Sequence, residues 1–160
     1  IGSSLVGSEM CIRDSYRGQA LTARLEGTRD KMDRAAQEEL DHLSWCNKRL
    51  DELNERPSYL SPLWYGLSFG MGAIAGAAGD KWSLGFVHET EHQVVIHLED
   101  HLKKLSASDA KTIAILEQMK LDEANHSEEA LSSGAEILPD GIKSLMSVIA
   151  KVMTKTSYYI

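Results

Sequence analysis

Three Glu-x-x-His pairs occur in this sequence of 160 residues, which contains only six histidines; they are Glu39/His42, Glu89/His92 and Glu123/His126. Residues three apart lie on the same face of a helix, so each pair could present a carboxylate and an imidazole to one metal ion. Carboxylate and imidazole ligands without a thiolate suit iron or manganese better than structural zinc. The first chemistry that the sequence suggests is therefore that of a transition metal bound between helices.

Helical phase indicates which carboxylates point into a core. Three glutamates lie seven residues from apolar side chains on their own segments, which gives the stripes Met32–Glu39–Cys46–Leu53, Leu84–Glu91–Leu98–Leu105 and Leu116–Glu123–Ala130. Such spacing is typical of the inward face of an amphipathic helix. Glu89 precedes Glu91 by two residues, which is about 200° around a helix. We therefore expect Glu89 to face outward and set the pair Glu89/His92 aside.

Buried carboxylates need a compensating charge, because an unpaired one costs several kcal/mol. The ordinary compensation is a lysine or arginine. None stands three or four residues from Glu39 or Glu91, and only Lys120 stands so close to Glu123. Two inward Glu-x-x-His pairs with a third inward glutamate therefore favour a metal site over a polar core.

Helical bundles with two iron or manganese ions take one glutamate from each of two helices and Glu-x-x-His from each of the other two. This arrangement requires a further glutamate on the first helix. Glu9 stands seven residues before Tyr16 and fourteen before Ala23, in phase with that helix. Four carboxylates would balance the charge of two Fe²⁺ ions, so we predict metal ligands at Glu9, Glu39, His42, Glu91, Glu123 and His126.

The elements that position these residues are predicted to be helices throughout. Apolar periodicity and turn residues place helices at about 16–25 or from an earlier residue, 28–53, 81–105, 109–132 and 142–155, the fourth capped by Asp109. The fold class expected is all-α, a ferritin-like four-helix bundle of residues 16–160. Residues 1–15 are rich in serine and glycine without a sustained period, and both a non-native or truncated segment and native sequence stay open for them.

The segment 60–79 contains twenty residues without a charge, among them Pro62 and five glycines. A single span would put the helices on either side of it on opposite faces of a membrane, although both must reach one metal centre. We therefore expect it to lie at a membrane interface or against the bundle. The last helix carries three lysines and no acid after Asp140, with an apolar face of Ile142, Leu145, Met146, Ile149 and Met153. This pattern is typical of a membrane-surface helix.

The composition argues against two kinds of binding partner. The net charge of −7 and the lack of a basic stripe argue against a nucleic-acid partner. The two cysteines, Cys11 and Cys46, do not form a Cys-x-x-Cys pair, which argues against a thiolate zinc site.

The chain resembles the demethoxyubiquinone hydroxylase family over nearly all of residues 16–160. The resemblance rests on YRGQALTAR, EELDHLSWC, SPLWYGLSFGMGAIAG, ETEHQVVIHL, DEANH and the ending AKVMTKTSYYI. It implies a membrane-bound di-iron monooxygenase of ubiquinone biosynthesis that uses O₂ to hydroxylate a polyprenyl methoxy-methyl-benzoquinol. It also implies iron ligands at the six residues above, a supporting role for His97, and bridging by Glu39 and Glu123.

From the resemblance we expect a peripheral membrane protein, on the cytoplasmic face of a bacterial membrane or the matrix face of the mitochondrial inner membrane. Its partners would be the benzoquinol, membrane lipid, other enzymes of the pathway and a second copy of the chain. Tyr16 is expected to line the site or to be a core tyrosine with a bonded hydroxyl. Asp41 and Asp122 are candidates to orient the histidines. Two rival interpretations stay open: a ferritin-like di-iron peroxidase or iron-handling protein, and an inactive membrane adaptor fragment.

Overall fold

The computed structural model describes residues 3–159, and the side chains of residues 5–157. Every regular element in that part of the chain is an α-helix, which confirms the all-α prediction. The helices are α1 (Ser3–Thr22), α2 (Glu26–Glu52), α3 (Ser61–Ala78), α4 (Asp80–Leu102), α5 (Ala110–Ser132) and α6 (Asp140–Tyr159).

Four helices form the bundle that carries the candidate site. Helix α1 packs along α2, α4 packs along α5, and α2 and α5 also meet. Helices α3 and α6 pack against the outside of α1 and also contact α4. The bundle core contains Leu98, Leu116 and Met119, each without exposed surface. Burial of large apolar side chains of this kind is the main stabilising contribution to such a bundle.

Helix α1 includes residues before Tyr16, as the open start of the first predicted helix allowed. It is continuous from Ser3, and Leu5, Val6 and Ile12 of the serine- and glycine-rich segment are buried in the core. The segment is therefore helical although no hydrophobic period was recognised in it, because Gly7 and several serines interrupt its hydrophobic pattern without breaking the helix. Residues 1 and 2 lie outside the described residues.

Residues 61–78 of the uncharged segment form the continuous helix α3. The glycines serve close packing. A Cβ on Gly72 would lie 2.0 Å from the carbonyl oxygen of Ser15, and one on Gly76 would lie 2.2 Å from Thr22 Oγ1. Helix α3 thus lies directly on the backbone of α1 with these glycines at the contact.

Helix α3 also has an outward side. Leu63, Leu67 and Ile74 are 55 %, 49 % and 73 % exposed. Across residues 3–159 the structure contains no helix that combines the length and the apolar character needed to cross a membrane.

Two expectations about side-chain direction, those for Leu53 and Glu89, were wrong. Leu53, expected on the inward stripe of α2, is the C-cap and is 41 % exposed, because the helix ends before it can pack. Ile142 and Leu145, expected on one apolar face of α6, are exposed, whereas Met153 of the same face is buried. Only some of the apolar residues of α6 pack against the bundle, and the others stay exposed.

Glu89 was expected to face outward but is buried, with 7 % of its surface exposed. Its Oε1 accepts a hydrogen bond of 2.7 Å from Gln93 Nε2, and its Oε2 lies 3.7 Å from Lys143 Nζ of α6. Helix α6 covers a second face of α4, so a residue on the side away from the bundle core is still enclosed. Its partner in the discarded pair, His92, is exposed.

The predicted start of α5 is confirmed. The carboxylate of Asp109 accepts a hydrogen bond of 3.1 Å from the backbone N–H of Thr112, which caps the helix. After Ser132 the chain turns through Gly134 at φ +93°, in the left-handed region that favours glycine.

Candidate metal centre

The six residues predicted as metal ligands converge in the middle of the bundle. Their ligand atoms form two groups, each within 4.8 Å: Glu9, Glu39, His42 and Glu123, and Glu39, Glu91, Glu123 and His126. Each group holds three carboxylates and one imidazole. Glu39 and Glu123 belong to both groups, so these two carboxylates stand between two possible metal positions.

All four bundle helices contribute to this cluster. Helix α1 supplies Glu9 and α4 supplies Glu91, while α2 and α5 each supply a glutamate and the histidine that follows three residues later. One turn of helix brings each Glu-x-x-His pair to the same face, as its spacing predicts.

The two histidines turn the same ring nitrogen toward the carboxylates. His42 Nδ1 lies 3.1 Å from Glu123 Oε1 and 3.2 Å from Glu39 Oε2. His126 Nδ1 lies 3.3 Å from Glu123 Oε2 and 3.6 Å from Glu39 Oε1. Both imidazoles could therefore bind a metal through Nδ1.

A carboxylate of the opposite helix holds the other nitrogen of each histidine. His42 Nε2 lies 3.2 Å from Asp122 Oδ2, and His126 Nε2 lies 2.7 Å from Glu38 Oε2. Each of these acids directly precedes a cluster glutamate, so α2 and α5 repeat the pattern acid–Glu–x–x–His and exchange contacts. Asp122 was among the predicted orienting residues, but Glu38 stands where Asp41 had been suggested, and Asp41 is exposed. The repeated acid before the glutamate was the sequence signal that identifies Glu38.

The burial of the cluster carboxylates indicates whether they could hold a cation. Glu9, Glu39, Glu91 and Glu123 have no exposed surface. Both carboxylate oxygens of Glu9, Oε1 of Glu39 and Oε2 of Glu91 are buried without a hydrogen-bond partner. Unpaired buried carboxylate oxygens are costly, and a divalent cation satisfies them. The residues present therefore fit a centre with two metal ions.

The electrostatics point the same way. Burial, with the charges of Glu123 and Glu39, raises the pKa of Glu9 to about 8. Burial and the charge of Glu123 raise the pKa of Glu39 to about 7. Burial also raises the pKa of Glu91 well above its ordinary value. The protein alone thus disfavours these charges, and bound cations would restore them.

Glu123 differs from the other three carboxylates. Burial opposes its charged form, but hydrogen bonds from His126 and His42 outweigh that effect and lower its pKa to about 2. The same contacts act on the histidines: against the effect of burial, Glu123 raises the pKa of His126 to about 9 and, with Glu39, also raises that of His42. The lysine that sequence spacing offered to Glu123 points elsewhere, since Lys120 Nζ lies 3.7 Å from Glu99.

Tyr16 lies at the edge of the cluster. It is 2 % exposed, and its hydroxyl donates a hydrogen bond of 2.5 Å to Glu91 Oε1. Its ring meets that of His126 edge-on, with 6.3 Å between centroids. Tyr16 is therefore a buried tyrosine with a bonded hydroxyl beside the cluster, and a role in the reaction stays a prediction.

A cavity of about 420 Å³ lies beside the cluster, between α1, α3, α4 and α6. Its walls include Ile12 and Val94, which follow Glu9 and Glu91 by three residues and so lie about one helical turn from these ligands. His97 is in the same wall, and its Nε2 lies 3.0 Å from His101 Nε2. Burial lowers the pKa of His97, which keeps the ring neutral. The structure thus places His97 at the cavity rather than in either ligand group.

Comparison with known proteins adds to this geometry. Residues 7–157 match the family model described as ubiquinone biosynthesis protein COQ7. The chain is 57 % identical over 152 residues to a protein of Acinetobacter baumannii, covering 95 % of this chain and 72 % of that protein. It is 58 % identical to a protein of Nitrosococcus oceani and 53 % identical to one of Pseudomonas putida, in both cases covering 95 % of this chain and 71 % of the relative. All three relatives are named 3-demethoxyubiquinol 3-hydroxylase.

Proposed function

Because the chain belongs to the family of ubiquinone biosynthesis protein COQ7, we infer that it is a hydroxylase that adds oxygen to the ring of a demethoxyubiquinol in ubiquinone biosynthesis. The observation that carries this proposal is the buried pair of ligand groups joined by Glu39 and Glu123. A monooxygenase must activate O₂ in a site closed to water, and these groups lie in the core of the bundle. The arrangement of two Glu-x-x-His helices with two single-glutamate helices supports a ferritin-like bundle.

We assign the centre to two iron ions, which would supply the electrons that activate O₂. Glu9 and His42 would hold one ion, Glu91 and His126 would hold the other, and Glu39 and Glu123 would bridge them. Oxygen and nitrogen ligands of this kind suit iron or manganese. Asp122 and Glu38 would fix the tautomer and orientation of the two imidazoles, because each can accept a hydrogen bond from Nε2–H while Nδ1 faces the cluster carboxylates.

The cavity beside the cluster is the site that we propose for the quinol. Its volume of about 420 Å³ suits a substituted ring with the first part of a polyprenyl tail. Most of its wall surface is apolar and comes from four helices. His97 would meet a ring oxygen, since its neutral imidazole can accept a hydrogen bond from a quinol hydroxyl.

Tyr16 would position Glu91. A hydroxyl that donates to one carboxylate oxygen leaves the other free for a cation, and Glu91 Oε2 has no hydrogen-bond partner. Burial raises the pKa of Tyr16 well above its ordinary value, so the phenol keeps its proton. We propose that this proton stays on Tyr16 and orients the carboxylate throughout the reaction.

We further propose that the protein lies on a membrane surface, where a polyprenyl quinol is found. Helices α3 and α6 both border the cavity, and both carry exposed apolar side chains: Leu63, Leu67 and Ile74 on α3, and Leu145, Val148 and Val152 on α6. The lysines of α6, exposed Lys151 and Lys155 among them, would meet anionic headgroups. A quinol could then pass from lipid into the cavity between these helices.

The activity is tested by turnover. Purified iron-loaded protein, a chemical reductant, ¹⁸O₂ and a demethoxyubiquinol should give a product heavier by one ¹⁸O atom on the ring. The Glu39→Ala variant should be inactive, while Glu117→Ala, at an exposed position of α5, should match the parent. Peroxide consumption or iron storage without labelled quinol would support the rival ferritin-like class instead.

Membrane binding is tested by flotation with vesicles that contain anionic lipid. Replacing Leu145 and Val148 by aspartate should abolish flotation. Replacing Ile137, an equally exposed apolar residue in the linker before α6, by aspartate should leave it unchanged. Equal flotation of both variants would contradict the assignment of α6 to the membrane surface.

A further inference from the structure

A second, much smaller opening lies at one end of the bundle, between α1, α2, α4 and α5. Its volume is about 30 Å³. Five of its ten lining residues are apolar aliphatic side chains or methionine: Met32, Ala35, Leu84, Val87 and Ala130. Below, it is called the small cleft. It is separate from the large cavity, with which it shares no lining residue.

The inner end of the small cleft reaches the metal centre. Tyr16 and His126 both line it; Tyr16 bonds Glu91, and His126 Nδ1 faces the shared carboxylates. Met32 and Ala35 precede Glu39 by seven and four residues, so the cleft lies one to two helical turns, about 6–10 Å, from the ligand layer. A molecule in the cleft is therefore next to the metal position of Glu91 and His126.

The size and lining of the small cleft restrict what can occupy it. A volume of about 30 Å³ holds one or two molecules the size of water and is far too small for a substituted quinol ring. Its walls offer mostly apolar surface, which favours a small uncharged molecule over an ion. In the proposed reaction, dioxygen is the reactant that fits this description.

The outer end is polar and solvated. Lys31 Nζ donates to Ser133 Oγ at 2.6 Å and to Glu129 Oε1 at 3.3 Å, and Arg34 Nη2 reaches the same glutamate at 2.9 Å. Glu129 is about half exposed, and such surface pairs are weak and rearrange rapidly. They cover the opening without sealing it.

We propose that the small cleft is the route by which dioxygen reaches the metal centre, while the quinol occupies the large cavity. This inference rests on the proposed function. Once a quinol fills the large cavity, that side is blocked, and the second reactant needs another path. The two reactants then approach from different sides of the bundle, and their access can be changed separately.

The first test needs no turnover. In crystals of the iron-loaded protein under xenon pressure, a xenon atom should occupy the apolar part of the small cleft, which Met32, Leu84 and Val87 line, since dry apolar cavities bind this gas. The Ala35→Leu variant should lose that atom, because the larger side chain fills the cleft at a half-buried position. The variant Ala114→Leu, at an exposed alanine of α5, should keep it. Ordered water in place of xenon in the parent protein would overturn the proposal.

The second test compares variants of the small cleft and of the large cavity by their KM for O₂ and for quinol. Ala35→Leu should raise the KM for O₂ several-fold and leave the KM for quinol unchanged. Ala150→Leu, in the wall of the large cavity, should do the reverse. Iron content and melting temperature equal to the parent establish that both variants fold. An unchanged KM for O₂ in Ala35→Leu would contradict the route. If the parent does not hydroxylate the quinol, the proposed function is wrong. The xenon experiment would still show whether the small cleft binds a small apolar molecule.

Discussion

Replacing one cluster carboxylate by its neutral isostere should stabilise the metal-free protein. The pKa of Glu39 is raised from 4.5 to about 7, so the folded protein opposes its charge. A raised carboxyl pKa costs nothing below pH 4.5, and the cost grows as the pH rises from 4.5 to about 7. At pH 7 it amounts to about 3 kcal/mol, which the Glu39→Gln variant would avoid.

Thermal unfolding in the presence of a chelator measures this effect. For a chain of this size, a gain of about 3 kcal/mol corresponds to a rise in Tm of roughly 6–12 °C. The gain should be present at pH 7 and disappear near pH 4.5, where both proteins carry a neutral side chain. Glu117→Gln, an exposed position on α5, is the matched control and should change Tm little at either pH.

With iron bound, the parent should have a higher Tm than Glu39→Gln, the reverse of the order without metal. The parent should gain stability when iron is added, because a ligand that binds only the folded state stabilises it, whereas Glu39→Gln lacks a shared ligand and should gain little. A metal-free Glu39→Gln protein with a lower Tm than the metal-free parent would contradict the inference that the buried charge of Glu39 destabilises the fold. It would mean that His42 and His126 already satisfy the carboxylate as a structural ion-pair network.

Three further outcomes follow from other contacts. Gly72→Ala should cost about 2 kcal/mol or more in unfolding experiments, because its Cβ would lie 2.0 Å from an α1 carbonyl oxygen, whereas Gly66→Ala, with nothing within 4 Å, should be neutral or slightly stabilising. Asp122→Asn should weaken iron binding by about 10–100-fold in a chelator competition, since an amide oxygen accepts the hydrogen bond from His42 Nε2 more weakly than a carboxylate does, and full affinity in this variant would count against that role. Asp109→Ala should lower the free energy of unfolding by about 1 kcal/mol through loss of the α5 cap, with iron content unchanged.

Sequence phase places correctly the residues that face the bundle core. Glu39, Glu91 and Glu123 lie in heptad register with apolar residues, and all three are buried toward a common centre. The register works because each of α2, α4 and α5 presents one stripe to the bundle core. Glu9 followed from the requirement for a fourth carboxylate, and α1 carries it to the same place.

Where a helix has two covered faces, phase alone fails. Glu89 is buried because α6 lies across the far side of α4, and the period of α4 cannot report the packing of a distant segment. Glu38 was missed for a related reason: its side chain is half exposed and has the character of an ordinary surface acid, although it holds His126. Leu53 shows the limit at helix ends, where the stripe continues in sequence after the helix has stopped.

We propose that this chain holds two metal ions bridged by Glu39 and Glu123. Metal analysis of anaerobically purified protein, for the parent and for Glu9→Ala, Glu91→Ala and Glu39→Ala, tests it most directly. We expect two irons per chain in the parent, one in each variant that lacks an unshared ligand, and none or nearly none without Glu39. One iron or none in the parent, or two irons retained without Glu39, would contradict it.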